Sequence, residues 1–417
     1  MKRLKILVSA FNCIPDHGSE PAIGWGFVKA ISERHDLHVL TEDAEFREKI
    51  ESHLDLHPEM RRRITFHFIP SNMDHLVSGM WRPYLYLVYR DWQRKALRLA
   101  RNLHERIGFD LVHHVTTCRY AEPGLLWKLP LPFVWGPTGG MENLPWRFIG
   151  SLDPAGILFH SCRNLVNSFQ TRFAVSPRVA ARRAGKGLIA ATSENRGKLA
   201  RFWGKPSHLL CEMGSESADP RSPTLREEGS PLRLSWSADH NSSKALPLLL
   251  DAAGRLNGNV DWHLDILGSG SRTEAWKRKA ERLGIDGRCT WHGWIPRQEA
   301  MEVVRKSHVF VISSLADITS SVLMEAISMG VPVICLDHCG FRDVVTDECG
   351  IKIPVRTPAQ VSAGIAGAIE KIGNDEPGRR RLAEGAFRRA GEFSWERKME
   401  ILNRIYADAL ESGRGKS

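Results

Sequence analysis

Residues 313–345 read SSLADITSSVLMEAISMGVPVICLDHCGFRDVV. This window predicts one strand–loop–helix–strand unit. A strand ends at Ser313 and Ser314, a short loop holds Asp317, a helix begins near Ser320 with Glu325 on its second turn, and the run 331–336 is the next strand. A helix start offers unpaired amide N–H groups and the positive end of its dipole, which suits a diphosphate. Thr319, Ser320 and Ser321 allow close approach and can donate, while Asp317 and Glu325 can accept from sugar and ribose hydroxyls. An ordinary N-cap followed by two solvated acids fits the same residues, so the surroundings must decide.

Working outward, strand and helix patterns alternate on both sides. Downstream of a charged, Pro- and Ser-rich linker at 216–231, strands are predicted at 232–236, 262–267, 289–292, 309–312 and 331–336. Helices at 245–256, 273–283, 297–305 and 320–329 separate them. Upstream, strands at 4–9, 37–40, 64–69, 111–115 and 133–135 alternate with helices that include 22–34 and 81–106. This rhythm predicts an α/β chain with two Rossmann-like doubly wound domains facing across a cleft, ligands lying beyond the carboxyl ends of the strands. The expected boundaries are 1–215, 216–390 and a helical tail, 391–417, crossing back to the first domain on a face made by Met399, Leu402, Ile405 and Tyr406.

Composition narrows the class. The chain has 417 residues, 42% hydrophobic and 25% charged, which excludes disorder and fibrous repeats. No window approaches 18 consecutive apolar residues. Residues 1–10 imitate a secretory leader, but their apolar run is short and fits a first buried strand better. The eight cysteines are scattered without a metal-ligand spacing, so a reducing cytoplasm and no structural metal are expected. Of the net charge of +10, the excess lies at residues 61–200, which carry 21 basic and 8 acidic side chains. There Trp81, Tyr84, Tyr86, Tyr89 and Trp92 interleave with Arg82, Arg90, Arg94, Lys95 and Arg98, and Arg163, Arg172, Arg178, Arg182, Arg183 and Lys186 follow. Aromatics among cations suit an anionic membrane surface on the inner face of the membrane, and equally suit a helix packed by its rings. No nucleic-acid-binding module accompanies the charge.

The ordered motifs resemble the GT-B glycosyltransferases of family 4, the retaining nucleotide-sugar transferases. Asp317 and Glu325, spaced as the family's Glu-x7-Glu with Asp in the first place, are followed by Ala326 and Gly330-Val331-Pro332-Val333. Trp236 to Asp239, then Ser243-Lys244-Ala245, resembles the family's strand–loop–helix bearing the lysine that neutralises the donor diphosphate. Asp239 stands where many members have Arg, which leaves His240 or another cation to compensate. Gly268 with Gly270, and Trp294 in the segment 291–296, resemble its Gly turn and its base-side segment. In the first domain, Gly18 and Ser19 precede Glu20-Pro21, His113 and His114 end a strand, and Gly139, Gly140 and Glu142 follow the next.

The resemblance implies a glycosyltransferase that moves a sugar from a nucleoside diphosphate to a glycan or lipid-linked acceptor in surface polysaccharide assembly. It implies catalytic roles for Lys244, Asp317, Glu325 and His114. Donor contacts would come from Gly18, Ser19, His240, Gly268, Trp294, Thr319, Ser320 and Ser321, and acceptor contacts from His113, Gly139, Gly140 and Glu142. No cofactor or metal is implied, because lysine and helix amides would neutralise the leaving group. Strand geometry lets only one of His113 and His114 face the cleft, and His114 is favoured. An inactive nucleotide-sugar-binding assembly protein of the same fold, motivated by Asp239 and Asp317, is the alternative; an epimerase of this architecture is a third.

Overall fold

The computed structural model describes residues 3–71, 82–215, 224–256, 258 and 260–414. The chain packs as two units, one formed by Met1–Met141, Phe169–Gly214 and Trp395–Ser417, the other by Glu142–Ser168 and Ser215–Ser394.

The first unit holds a parallel sheet of β1 (Lys5–Ala10), β2 (Asp36–Glu42), β3 (Ile64–Ile69), β4 (Leu111–Thr116), β5 (Phe133–Thr138), β6 (Leu188–Ala190) and β7 (His208–Leu209). The order is β3-β2-β1-β4-β5-β6-β7, so the chain reverses its direction of winding between β1 and β4. Both are central strands, buried on both faces along almost their whole length, histidines of β4 included. The helix Arg82–Ile107 covers the sheet with Tyr89, Trp92, Ala96 and Ala100, and the Trp92 indole donates to the Ile69 carbonyl at 2.9 Å. Tyr89 and Trp92, expected as candidates for a lipid-facing surface, are core residues instead, because Phe11 packs edge-on against both rings. Tyr86 lies against Arg119, and Arg90 pairs with Glu122 at 2.8 Å. Trp81 lies outside the described residues, as does the side chain of Tyr84.

The helix Trp395–Arg414 belongs to this unit. Met399, Leu402, Ile405 and Tyr406 are all buried. Trp395 packs edge-on against Phe27 at 5.2 Å, and its ring lies so close to Gly26 and Gly214 that a Cβ on either would overlap it. Midway along the helix, Asn403 bonds His35 at 2.9 Å.

The second unit holds β8 (Leu232–Ser237), β9 (Trp262–Leu267), β10 (Cys289–Gly293), β11 (Val309–Ile312), β12 (Val333–Leu336) and β13 (Gly350–Ile353), all parallel in the order β10-β9-β8-β11-β12-β13. Its winding reverses between β8 and β11. Residues 142–168, expected in the first domain, pack here because Leu144, Phe148 and Ile149 enter the core built on Leu232, Trp236 and Leu246. Of the expected linker, residues 216–223 lie outside the described residues. Its remainder is tied down: Arg226 donates to the Gly373 carbonyl at 2.8 Å. No described helix is long and apolar enough to cross a membrane.

Burial in the first unit has a pH consequence. His113 and His114 are fully buried, and burial pushes their imidazoles down to about 4 and about 3, His114 further because His113 lies beside it. His67 is lowered to about 4 by the same cause. The folded state therefore binds fewer protons than the unfolded chain below the ordinary imidazole range. Stability is full above about pH 6.5 and is lost as pH falls toward 4, by roughly 3 kcal/mol for His113 alone. Thermal melts in buffers from pH 7 to pH 4 should show a steady fall in Tm across that window; a flat profile would contradict the burial of neutral rings.

Candidate functional site

In an open parallel sheet, ligands bind beyond the strand ends where the winding reverses. In the second unit that place lies beyond β8 and β11, and the chain brings charged residues to it from both. After β8, Asn241 accepts from the Ser243 amide at 3.1 Å, shaping a short turn that ends in Lys244. Ala245 then takes φ +48 and the helix Leu246–Ala253 begins. After β11, Ser313 receives the Trp236 indole N–H at 3.0 Å and donates to the Lys244 carbonyl at 2.9 Å. The Leu315 amide donates to the Ser243 carbonyl at 2.8 Å, locking the two loops together.

This framework sets the Lys244 ammonium on Asp317 at 2.6 Å, with both side chains about one-fifth exposed. Burial opposes the lysine's charge, but the Asp317 carboxylate outweighs it and holds the ammonium above the ordinary lysine value. Three residues further on, Ser320 caps the helix Ser321–Ser328 without a side-chain hydrogen bond, so the cap leaves the first amides to an outside acceptor. The loop is pressed onto Gly340, whose amide donates to the Ile318 carbonyl at 2.7 Å. A Cβ at Gly340 would lie 2.0 Å from the Thr319 hydroxyl, which explains a glycine there. Glu325 faces Arg297, the first residue of the helix Arg297–Lys306, and pairs with it. Lys244, Asp317, Thr319, Ser320, Ser321 and Glu325 thus stand on the two loops at this switch point and the helix that follows.

Other expected residues play different parts. His240, expected at the donor, is buried: its ring lies among Trp236, Trp276 and Trp291, and Nδ1 bonds the Thr273 hydroxyl at 2.8 Å. Burial lowers its affinity for a proton, so it does not replace the cation missing at Asp239. Gly268 has φ +105, and a Cβ there would lie 2.0 Å from the Ala238 carbonyl oxygen, so it serves a close approach of two loops. Trp294, expected beside a base, is 79% exposed.

The first unit has a matching junction between the loops after β1 and β4. Glu20 accepts from the Asn12 side chain at 3.0 Å and from the Cys118 amide at 2.7 Å, and burial raises its carboxyl above the usual range despite both bonds. Gly18 has ordinary backbone angles and open space at its Cβ; the left-handed turn, φ +59, falls on Ser19. His113, expected on the acceptor side, is structural. Its Nε2 donates to the Gly136 carbonyl at 2.8 Å, so Nδ1 accepts from the Tyr406 hydroxyl at 2.9 Å. His114 turns to the other face, where Gly124 leaves room for its ring. It is fully buried, and neither ring nitrogen has a hydrogen-bond partner among the described residues. Gly139 is held by backbone bonds to Cys118 and Tyr120, Gly140 has φ +83 in open space, and Glu142 is buried in the second unit rather than the first.

Two features escaped sequence reading. Arg297 sits at a recognisable helix start, but nothing in its neighbours marks Glu325 as its partner. Asp153, far away in sequence, accepts from the Ser242 hydroxyl and pairs with Arg272 at 3.3 Å, bracing the turn that carries Lys244. Among the described residues, no group of three or more His, Cys, Asp or Glu is placed to hold a metal ion.

Comparison with known proteins converges on one kind. Residues 225–389 match the family described as Glycosyl transferases group 1. Over 155 residues the chain is 31% identical to the lipopolysaccharide core biosynthesis glycosyltransferase LpsE of Rhizobium meliloti, covering 37% of this chain and 43% of that protein. The chain spans less than half the length of the curated relatives it matches. Sucrose-phosphate synthase from Thermosynechococcus elongatus has a similar structure, with a TM-score of 0.66 at 15% identity over 98% of this chain and all of that one. HepE of Anabaena, solved in complex with UDP, gives 0.59 at 14% identity over the same shares. These likenesses give the fold, which is GT-B.

Proposed function

We propose, from the premise that residues 225–389 belong to the Glycosyl transferases group 1 family, that this protein is a retaining glycosyltransferase. It takes a sugar from a nucleoside diphosphate and passes it to a glycan or lipid-linked acceptor in surface polysaccharide assembly. The observation that carries the reading is the Lys244–Asp317 pair at the switch point of the second unit. The UDP in the HepE structure and the lipopolysaccharide role in the name of LpsE support the donor class and the setting.

The geometry suggests how the parts act. In the free protein Lys244 rests on Asp317. An arriving diphosphate carries more negative charge than one carboxylate, so it draws the ammonium to itself and frees Asp317 to accept from sugar hydroxyls. The amides at Ser320 and Ser321 take the phosphate oxygens, and Glu325, oriented by Arg297, accepts from the ribose or sugar. As the glycosidic bond breaks, its electron pair leaves with the diphosphate, and Lys244 and the helix N-terminus stabilise the growing charge. The acceptor hydroxyl attacks the oxocarbenium-like carbon from the same face, and its proton passes to a phosphate oxygen. No protein nucleophile, resident metal or cofactor is assigned in this scheme.

Incubating the protein with a panel of nucleotide sugars, with and without glycan acceptors, tests the reading. Acceptor-dependent release of nucleoside diphosphate and a product with unchanged anomeric configuration are expected. Binding without transfer would instead favour the assembly-protein reading, and inversion at the anomeric carbon would overturn retention.

A further inference from the structure

The helix Pro154–Phe173 is amphipathic the wrong way round for water. Its inward residues recur at helical spacing and are small or polar: Gly156, His160, Asn164, Asn167 and Thr171. Their hydrogen bonds stay within the protein. Asn164 holds both backbone groups of Leu144, at 3.1 and 2.7 Å, Asn167 donates to Asn143 at 2.9 Å, and Thr171 bonds the Tyr120 hydroxyl at 3.0 Å. The outward face carries the apolar groups. Leu158, Leu165, Phe169 and Phe173 are 68%, 62%, 63% and 61% exposed, with Val166 beside them. A water-facing helix has no use for such a stripe, and contiguous exposed apolar surface of this kind marks a contact.

Charge says what the contact is. Between residues 154 and 193 the sequence has six Lys or Arg and no Asp or Glu. A second copy of the chain docked on this face would set cations against cations. A leaflet containing anionic lipid offers both hydrocarbon for the stripe and negative headgroups for Arg172, exposed on the helix next to Phe173. We propose that the helix Pro154–Phe173 is a membrane-docking surface that lies flat in the headgroup region of an anionic bilayer, Leu158, Leu165, Phe169 and Phe173 inserted. At 20 residues it presents about 30 Å of contact without spanning. It is the helix's face, not the buried aromatics of Arg82–Ile107, that meets the lipid. The helix is also tied to the donor-side turn, because Asp153, immediately before it, receives the Gly156 amide at 3.3 Å and the Ser242 hydroxyl.

Vesicle flotation of the full chain tests the surface, with phosphatidylcholine alone and with added phosphatidylglycerol. The wild type should float with the anionic vesicles, remain behind with the neutral ones, and lose binding in about 1 M salt, where charge attraction is screened. Leu165→Ser with Phe169→Ser should weaken flotation by about tenfold or more with little change in Tm, since both side chains are more than 60% exposed and the packing lost is a surface contact of Phe169 with Phe173. Equal flotation of the double variant, or no flotation of the wild type, overturns the proposal. So does a dimer in sedimentation that the double variant converts to monomer, because a second copy then covers the face. Should the variant unfold, the lipid-charge and salt arms on the wild type still decide. Flotation is read without donor, so a failure of the transferase reading would not touch it.

Discussion

Lys244→Ala lowers the rate of sugar transfer by about 10²–10³-fold, the usual loss when one charge-stabilising donor is removed from a leaving group. The reason is positional. Lys244 follows β8, its carbonyl is fixed by Ser313, and its ammonium is already placed on the loop that leads into the helix Ser321–Ser328. Loss of the ammonium removes the single side-chain cation that this account assigns to the departing diphosphate. The fold should survive, because the pair it forms with Asp317 is partly exposed and such pairs contribute only about 1 kcal/mol. If only the packing of the lysine stem mattered, Lys244→Met, which keeps that stem without the ammonium, would retain transfer. Steady-state kinetics and a thermal melt on both variants separate the two cases, and near-normal turnover in either contradicts the assignment.

Gly268→Ala is expected to cost roughly 3–5 kcal/mol, from left-handed backbone strain and an overlap that no rotamer relieves. The overlapped atom is the Ala238 carbonyl oxygen, 2.0 Å from the new Cβ, so the loops after β9 and β8 must part. The same loop holds His240 through the Ser269 carbonyl, and separation would loosen the turn leading to Lys244. Tm should fall on the order of ten degrees for a unit of this size, with donor affinity falling alongside. Gly391→Ala, in a helix of the same unit with open space at its Cβ, is the control and should leave Tm nearly unchanged. Equal behaviour of the two variants would show that the close approach at Gly268 carries no energy.

These two positions also show what local sequence conveys. Short runs such as KILVSA and LVHHVT declare buried parallel strands, because strands covered on both faces show no regular apolar–polar alternation. Asp317 is legible for a related reason, since it follows a central strand by a short loop, where a doubly wound sheet concentrates ligands; Lys244 is legible through its resemblance to the family's lysine-bearing loop. What resists reading is whatever depends on remote packing. His240 looks available in its loop, and only three tryptophans from β8, β10 and the helix Thr273–Arg282 enclose it. Tyr89 and Trp92 suit a membrane until Phe11 claims them. The true apolar surface of Pro154–Phe173 hides because Asn164 and Asn167 resemble solvent-facing residues, whereas they bind backbone inside. Leu144 and Phe148 carry no mark of which sheet they will join.

The most direct measurement is a crystal structure of the protein with UDP. The β-phosphate is expected within hydrogen-bond reach of Lys244 Nζ and of the amides at Ser320 and Ser321, with the ammonium drawn off Asp317. A diphosphate bound elsewhere, with Lys244 still resting on Asp317, would contradict this placement.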